Sequence, residues 1–169
     1  SSPLNYSLTP QMKKEHPELI DRLRTSAFTA LAPIFYEEKP ADEKEYITLV
    51  GLLGNKRVER YVRKDYIKDG SGSLYKYNVL LPKAIGEPLS TEIIAGPGTG
   101  YTQTFIGIGR FDSYSEAENV SKYIKTKFAR TLLGVLKITQ DCPAPKWKYV
   151  PLQDFTPASD IDWSQSIPD

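Results

Sequence analysis

Two strand-like runs that meet at a glycine-led turn constrain this chain more than any other feature. Tyr46 to Leu53 reads Y-I-T-L-V-G-L-L, a β-rich apolar stretch with the make-up of a buried strand. Gly54-Asn55 follows, a turn-forming pair in the reverse of the favoured Asn-Gly order. From Arg57 to Ile67, apolar and aromatic residues then recur at Val58, Tyr61, Val62 and Tyr66. This pattern predicts a β-hairpin across Gly54-Asn55-Lys56.

Further strands follow. Tyr75 to Leu81 (Y-K-Y-N-V-L-L) predicts one that ends at Pro82, and Thr102 to Phe111 predicts another. Gly107 and Gly109 lie on one face of the latter, which points to close packing or a bulge. Gly70-Ser71-Gly72-Ser73 reads as a flexible tip, and Gly96-Pro97-Gly98-Thr99-Gly100 as a second glycine-rich loop.

Helical signals are fewer. Thr9-Pro10 and His16-Pro17 are both helix starts, because proline suits the first turn. Leu19, Ile20, Leu23 and Ala27 predict a helix over 17–30. Ser113 and Ser115 each have a glutamate three residues on, the spacing of a capping box, and open a long helix. Ala117, Val120, Ile124, Phe128, Leu132 and Val135 line one face of it. Trp147 to Val150 predicts a final short strand. Asp154 suits a turn in which its carboxylate bonds nearby amides. The fold class expected is α+β: a mixed, mainly antiparallel twisted sheet carrying one long and one shorter helix. Residues 1–16 are expected to be loose, 17–155 to form one domain, and 156–169 to be an extended polar tail.

Composition excludes several classes. The chain has 169 residues, 22 basic and 21 acidic, for a net charge of +1, so any polyanion signal lies in where charges sit. Cys142 is the only cysteine and cannot form an internal disulfide, which favours a cytoplasmic setting. With His16 as the only histidine, an all-protein zinc site of the usual kinds is excluded. No apolar run approaches the roughly 20 residues that span a bilayer. The N-terminal S-S-P-L-N-Y-S has neither the basic nor the apolar region of a signal peptide. The absence of an initial Met suggests a piece of a longer protein.

Two basic clusters point to nucleic acid. Between Asn55 and Lys68 stand Lys56, Arg57, Arg60, Arg63, Lys64 and Lys68 against only Glu59 and Asp65. Such a ribbon fits the major groove, where cations neutralise phosphates and arginine reads guanine edges. The stretch Lys122 to Lys137 holds Lys122, Lys125, Lys127, Arg130 and Lys137 and no acid. Its cations can track phosphates, which orients a protein without reading sequence. The plainer alternative for both is a charged face turned to solvent. Tyr101, Thr102, Gln103 and Thr104, which continue the second glycine loop, can approach base edges, where Gln and Thr donate and accept. Lys83 and Asn55 complete the set of candidate DNA-binding residues.

The glycine loops are not phosphate cradles, since Gly96–Gly100 lacks a Gly-Lys-Ser/Thr ending and a strand follows it. No nucleophile pattern is present. Glu37-Glu38-Lys39 has the spacing of a metal-dependent nuclease but lies in an acidic, proline-containing loop. A small nuclease and a protein-interaction domain with tyrosine-rich strands are the alternatives to a DNA reader.

Several words of sequence in order carry a family resemblance: L-L-P-K-A (80–84), L-S-T-E-I-I (89–94), G-x-G-Y-T-Q-T-F-I (98–106), Y-I-K-T-K-F-A-R (123–130) and W-K-Y-V-P-L-Q-D-F (147–155), then D-I-D-W-S-Q-S-I (160–167). From Tyr46 onward the chain resembles the C-terminal target-recognition domain of bacterial type II restriction–modification DNA adenine methyltransferases, of the kind that combine modification with cutting. The resemblance implies a parent enzyme that methylates adenine with S-adenosylmethionine, and that uses magnesium where it also cuts. The family's Asn-Pro-Pro-Tyr motif is absent from this chain. The implied role here is therefore DNA recognition, catalytically silent and without a cofactor of its own. The implied partners are double-stranded DNA and a methyltransferase catalytic domain of the same polypeptide.

Overall fold

The computed structural model describes residues 4–22, 26–54, 56–83, 92–126 and 154–164. The fold is α+β, with mostly antiparallel strands and one longer helix. The chain divides into two compact units: Ser1–Tyr75 with Pro97–Phe105, and Lys76–Gly96 with Ile106–Asp169.

In the first unit, the strand-rich pattern forms the expected hairpin. Strands β2 (Tyr46–Leu53) and β3 (Lys56–Arg63) pair antiparallel from Tyr46 opposite Arg63 to Leu53 opposite Lys56. Side chains alternate across a strand, so Ile47, Leu49, Val58 and Val62 fall on one face. All four join the core with Leu4, Tyr6, Met12, Leu19, Phe28, Leu31 and Ile34. A third strand, β7 (Thr99–Tyr101), runs parallel to β2, giving the order β3-β2-β7. The outer edge of β3 is covered at one point, where Tyr36 and Tyr61 exchange both backbone hydrogen bonds (2.9 and 2.8 Å).

Residues 4–16 correct the expectation of a loose segment. Leu4, Tyr6 and Met12 are buried. Ser7–Leu8 (β1) pairs with Ile67–Lys68 (β4). Thr9 caps helix α1 (Pro10–Glu15), its hydroxyl accepting the Met12 amide, with Pro10 in the first turn as its sequence predicts. Apolar side chains that fill the core anchor this segment although its neighbours are polar.

The helix expected over 17–30 is also corrected. Among the described residues of that span, Pro17–Leu19 forms a 3-10 turn and only Ala27–Ala30 (α2) is α-helical, before a second 3-10 turn at Ala32–Ile34. Ile20, one member of the apolar stripe, is 41% exposed and so does not share the burial of Leu19 and Ala27, while Leu23 lies outside the described residues. The amides of Ile20 and Arg22 bond three residues back, a tighter winding that short turns adopt.

Gly70–Ser73 is a laced turn rather than a flexible tip. One Asp69 carboxylate oxygen accepts the Ser71 amide (2.9 Å) and hydroxyl (2.7 Å), and the other accepts the Leu74 amide (2.8 Å). Ser73 and Leu74 are buried behind it. Burial alone would raise the Asp69 pKa, but the bonds from the Leu74 and Ser71 amides and the Ser71 hydroxyl outweigh it and hold the carboxyl below its ordinary value. Asp69→Ala is expected to cost about 1–3 kcal/mol, because the amide of buried Leu74 loses its acceptor. A depressed folded pKa gives stability that is full above the unfolded value of about 3.9 and lost as pH falls through the folded one. Denaturant melts at stepped pH should therefore show the gap between native and variant closing in that acidic window.

In the second unit, β5 (Tyr77–Pro82) lies between β6 (Ile93–Ala95) and β8 (Phe105–Phe111). Helix α3 (Tyr114–Ile124) packs on this sheet through Ala117, Val120 and Ile124, which meet Val79 and Leu81. Ser113 caps it, accepting the Glu116 amide (3.2 Å), while Glu116 reaches back to the amide of Asp112 (3.2 Å). This is close to the box read from the sequence. The helical stretch expected beyond residue 126 and the strand at 147–150 lie outside the described residues.

The expectation of an unpaired tail from Thr156 is corrected for 156–164. Trp163 is 5% exposed and donates its indole N–H to the Asp154 carbonyl (3.0 Å). Phe155 stacks between Tyr123 and Trp163 at 5.6 and 5.2 Å. Asn119 and Lys122 of α3 donate to the carbonyls of Phe155 and Trp163. The Asp154 turn is as expected, its carboxylate accepting the Thr156 amide (2.9 Å). A single tryptophan anchors an otherwise polar stretch, because burying its ring outweighs ordering the chain around it.

Candidate nucleic-acid interface

Lys56 and Arg57 stand at the start of β3, beside the turn of the hairpin. Both are exposed, and among the described residues neither has an acidic partner. Arg57 lies opposite Leu52 across the hairpin. On the other side of β2, the Leu52 amide donates to the Thr104 hydroxyl (3.0 Å). The hairpin turn and the segment after β7 therefore flank the same end of one strand.

That segment forms a tight turn. The Phe105 amide donates to the Thr102 carbonyl (3.2 Å), which also accepts the Asn5 side-chain amide (2.9 Å). The hydroxyls of Thr102 and Thr104 bond to each other (2.8 Å). Thr102 is 1% exposed, so its side chain belongs to the scaffold and not to a contact surface. Tyr101 is half-buried, edge-on to Tyr6 at 5.9 Å, and burial raises the pKa of its phenol. The Tyr6 phenol is pushed up to about 12, chiefly by its own burial. Of the four loop residues read from the sequence, Gln103 alone keeps a side chain without a partner among the described residues.

Three other cations of the basic run, Arg60, Arg63 and Lys64, are committed to the protein, whereas Lys68 at the end of β4 is exposed. Arg60 falls on the core face of β3, opposite Leu49, with its guanidinium 5.9 Å from the centre of the Phe28 ring and 3.4 Å from Glu37. Arg63 lies 2.9 Å from Glu15 and 2.5 Å from Asp65, bonds the Tyr66 hydroxyl at 3.0 Å, and sits over that ring. The Asp65 hydrogen bond is the main reason its pKa rises further. Burial first, then a hydrogen bond to Glu15, pushes Tyr66 up to about 12. Glu15 is held below the usual carboxylate range, first by the Tyr66 hydroxyl and then by Gln11. Lys64 pairs with Glu45 at 3.0 Å. Neutralised by near neighbours, these cations offer little net field.

Three further candidates lie in the second unit. Lys83 is exposed just beyond β5. Lys122 donates to the Trp163 carbonyl (2.8 Å), and Lys125 pairs with the almost fully buried Glu92 (2.6 Å), which also accepts the Ser121 hydroxyl. Asn55, Lys127 and Arg130 lie outside the described residues. The structure thus brings Lys56, Arg57 and Gln103 to one end of one sheet, whereas Lys122 and Lys125 belong to a different unit from the hairpin.

Sequence reasoning read Thr104 as a base-edge candidate, and foresaw neither its bond to β2 nor the part played by Asn5. Their partners lie 52 and 97 positions away, so no local pattern could have pointed to them. The Glu37-Glu38-Lys39 spacing leads instead to the Arg60 ion pair, and among the described residues no three His, Cys, Asp or Glu side chains group as metal ligands. Among the described residues no helix is long and apolar enough to cross a membrane.

Comparison with known proteins adds no relative. No protein-family model, no curated protein and no solved structure matches the chain.

Proposed function

We propose that this chain is a DNA-contacting recognition module of a restriction–modification adenine methyltransferase, working beside a catalytic domain that it does not contain. The observation that carries the reading is the pair of exposed cations, Lys56 and Arg57, which have no acidic partner among the described residues, beside a tight polar turn at one end of a sheet. A two-stranded ribbon fits the major groove, about 12 Å wide, and places such cations at the phosphate rim. The ordered sequence words described above supply the family context. On this reading S-adenosylmethionine is held by the catalytic partner, which extrudes the target adenine while this chain holds the duplex. The setting is the cytoplasm, where the DNA lies.

The test is binding of a labelled mixed-sequence duplex by the full chain over a salt series. Log affinity should fall linearly with log salt, with a slope of about −0.9 for each phosphate neutralised. Affinity that is absent, or indifferent to salt, rejects the reading.

A further inference from the structure

We propose that Gln103 is the base-reading residue of this surface, with Thr102 and Thr104 as positioning residues; the inference rests on the DNA-contact reading above. Gln103 and Thr104 are the central residues of the turn closed by the Phe105 amide on the Thr102 carbonyl. The hydroxyls on either side of Gln103 and the carbonyl before it are already engaged. The Thr102 hydroxyl meets that of Thr104, the Thr104 hydroxyl accepts the Leu52 amide, and the Thr102 carbonyl accepts Asn5. The turn is thereby bonded to β2 and to the N-terminal segment, and among the described residues its one side chain without a partner is the carboxamide of Gln103.

A carboxamide is the group that pairs bidentately with adenine, at N6 and N7, in the major groove. Rigid support on both sides fixes the backbone that carries this group, so only the side chain itself is ordered at binding. The spacing also fits. Thr104 and Arg57 lie on opposite sides of β2, two strand spacings apart, or about 10 Å. The major groove is about 12 Å wide, so a lateral separation of this size lies within its span.

The experiment is selection of the full chain on a pool of duplexes randomised at their central positions, with sequencing of the bound fraction. The native chain should enrich adenine at one position by roughly 5- to 150-fold, the discrimination of one bidentate pair. Gln103→Ala should abolish that preference and leave the salt slope unchanged. Gln103→Glu should move the preference toward cytosine, whose amino group a carboxylate accepts. Thr104→Val should blur the same position, and Thr104→Ser should retain it. Salt-sensitive binding with no base preference overturns this inference and leaves the DNA-contact reading standing. Retained preference in Gln103→Ala, or a preference lost together with part of the salt slope, also overturns it. Absence of salt-sensitive binding removes both.

Discussion

Replacing Gly109 with alanine should destabilise the protein by about 2–5 kcal/mol, combining backbone strain with overpacking. Gly109 has φ of 149°, a conformation that side-chain-bearing residues rarely adopt. A Cβ there would lie 2.8 Å from the Tyr77 carbonyl oxygen and 3.0 Å from the Asn78 Cα. Both belong to the backbone of β5, the central strand of its sheet, so neither can withdraw without disturbing the pairing. The next residue, Arg110, has φ of 76°, and its amide donates to the Asn78 side chain (3.3 Å). Asn78 is 2% exposed, so this kink in β8 is tied to a buried polar group. Thermal melting should show a fall of roughly 5–20 °C for a chain of this size. Gly70→Ala, where nothing lies within 4 Å, serves as the control and should change stability by less than about 0.5 kcal/mol. Equal melting temperatures for the two variants would refute the argument from backbone contact.

Loss of both Lys56 and Arg57 to alanine should flatten the salt dependence of DNA binding by about 1.8, or 0.9 for each phosphate contact removed. The melting temperature should barely move, because among the described residues neither side chain has an acidic partner. Arg63→Ala is expected to behave in the opposite way. It removes the common partner of Glu15, Asp65 and Tyr66, so stability should fall while the salt slope holds. Three cations within eight residues thus separate into contact and scaffold. An unchanged slope in the double variant would remove the hairpin turn from the interface.

The hairpin was legible because its cause is local. Alternating side chains over Tyr46–Leu53 and Arg57–Val62, with Gly54 between them, fix both strands and their pairing. The Thr9-Pro10 and Ser113 caps were legible for the same reason, since a cap is made by residues three apart. Gly109 was flagged by its place in a strand, and the close backbone approach is what a glycine there permits. Where signals were local but ambiguous, the reading failed. Leu19, Ile20 and Ala27 sat at helical intervals, yet Ile20 faces solvent. Residues 4–12 and 156–164 read as loose because most of their side chains are polar, whereas Leu4, Tyr6, Met12 and Trp163 anchor them.

The candidate site divides along the same line. Sequence by itself determined that this stretch of chain carries a cluster of cations on a hairpin and a polar turn after a glycine loop. Only the tertiary structure decided which of those cations stay free. Glu15, Glu37 and Glu45 reach Arg63, Arg60 and Lys64 from 48, 23 and 19 positions away. Charge on a side chain is a property of the residue, but the field it presents depends on which opposite charges the fold brings within a few ångströms, and that separation in space is not written in separation along the chain.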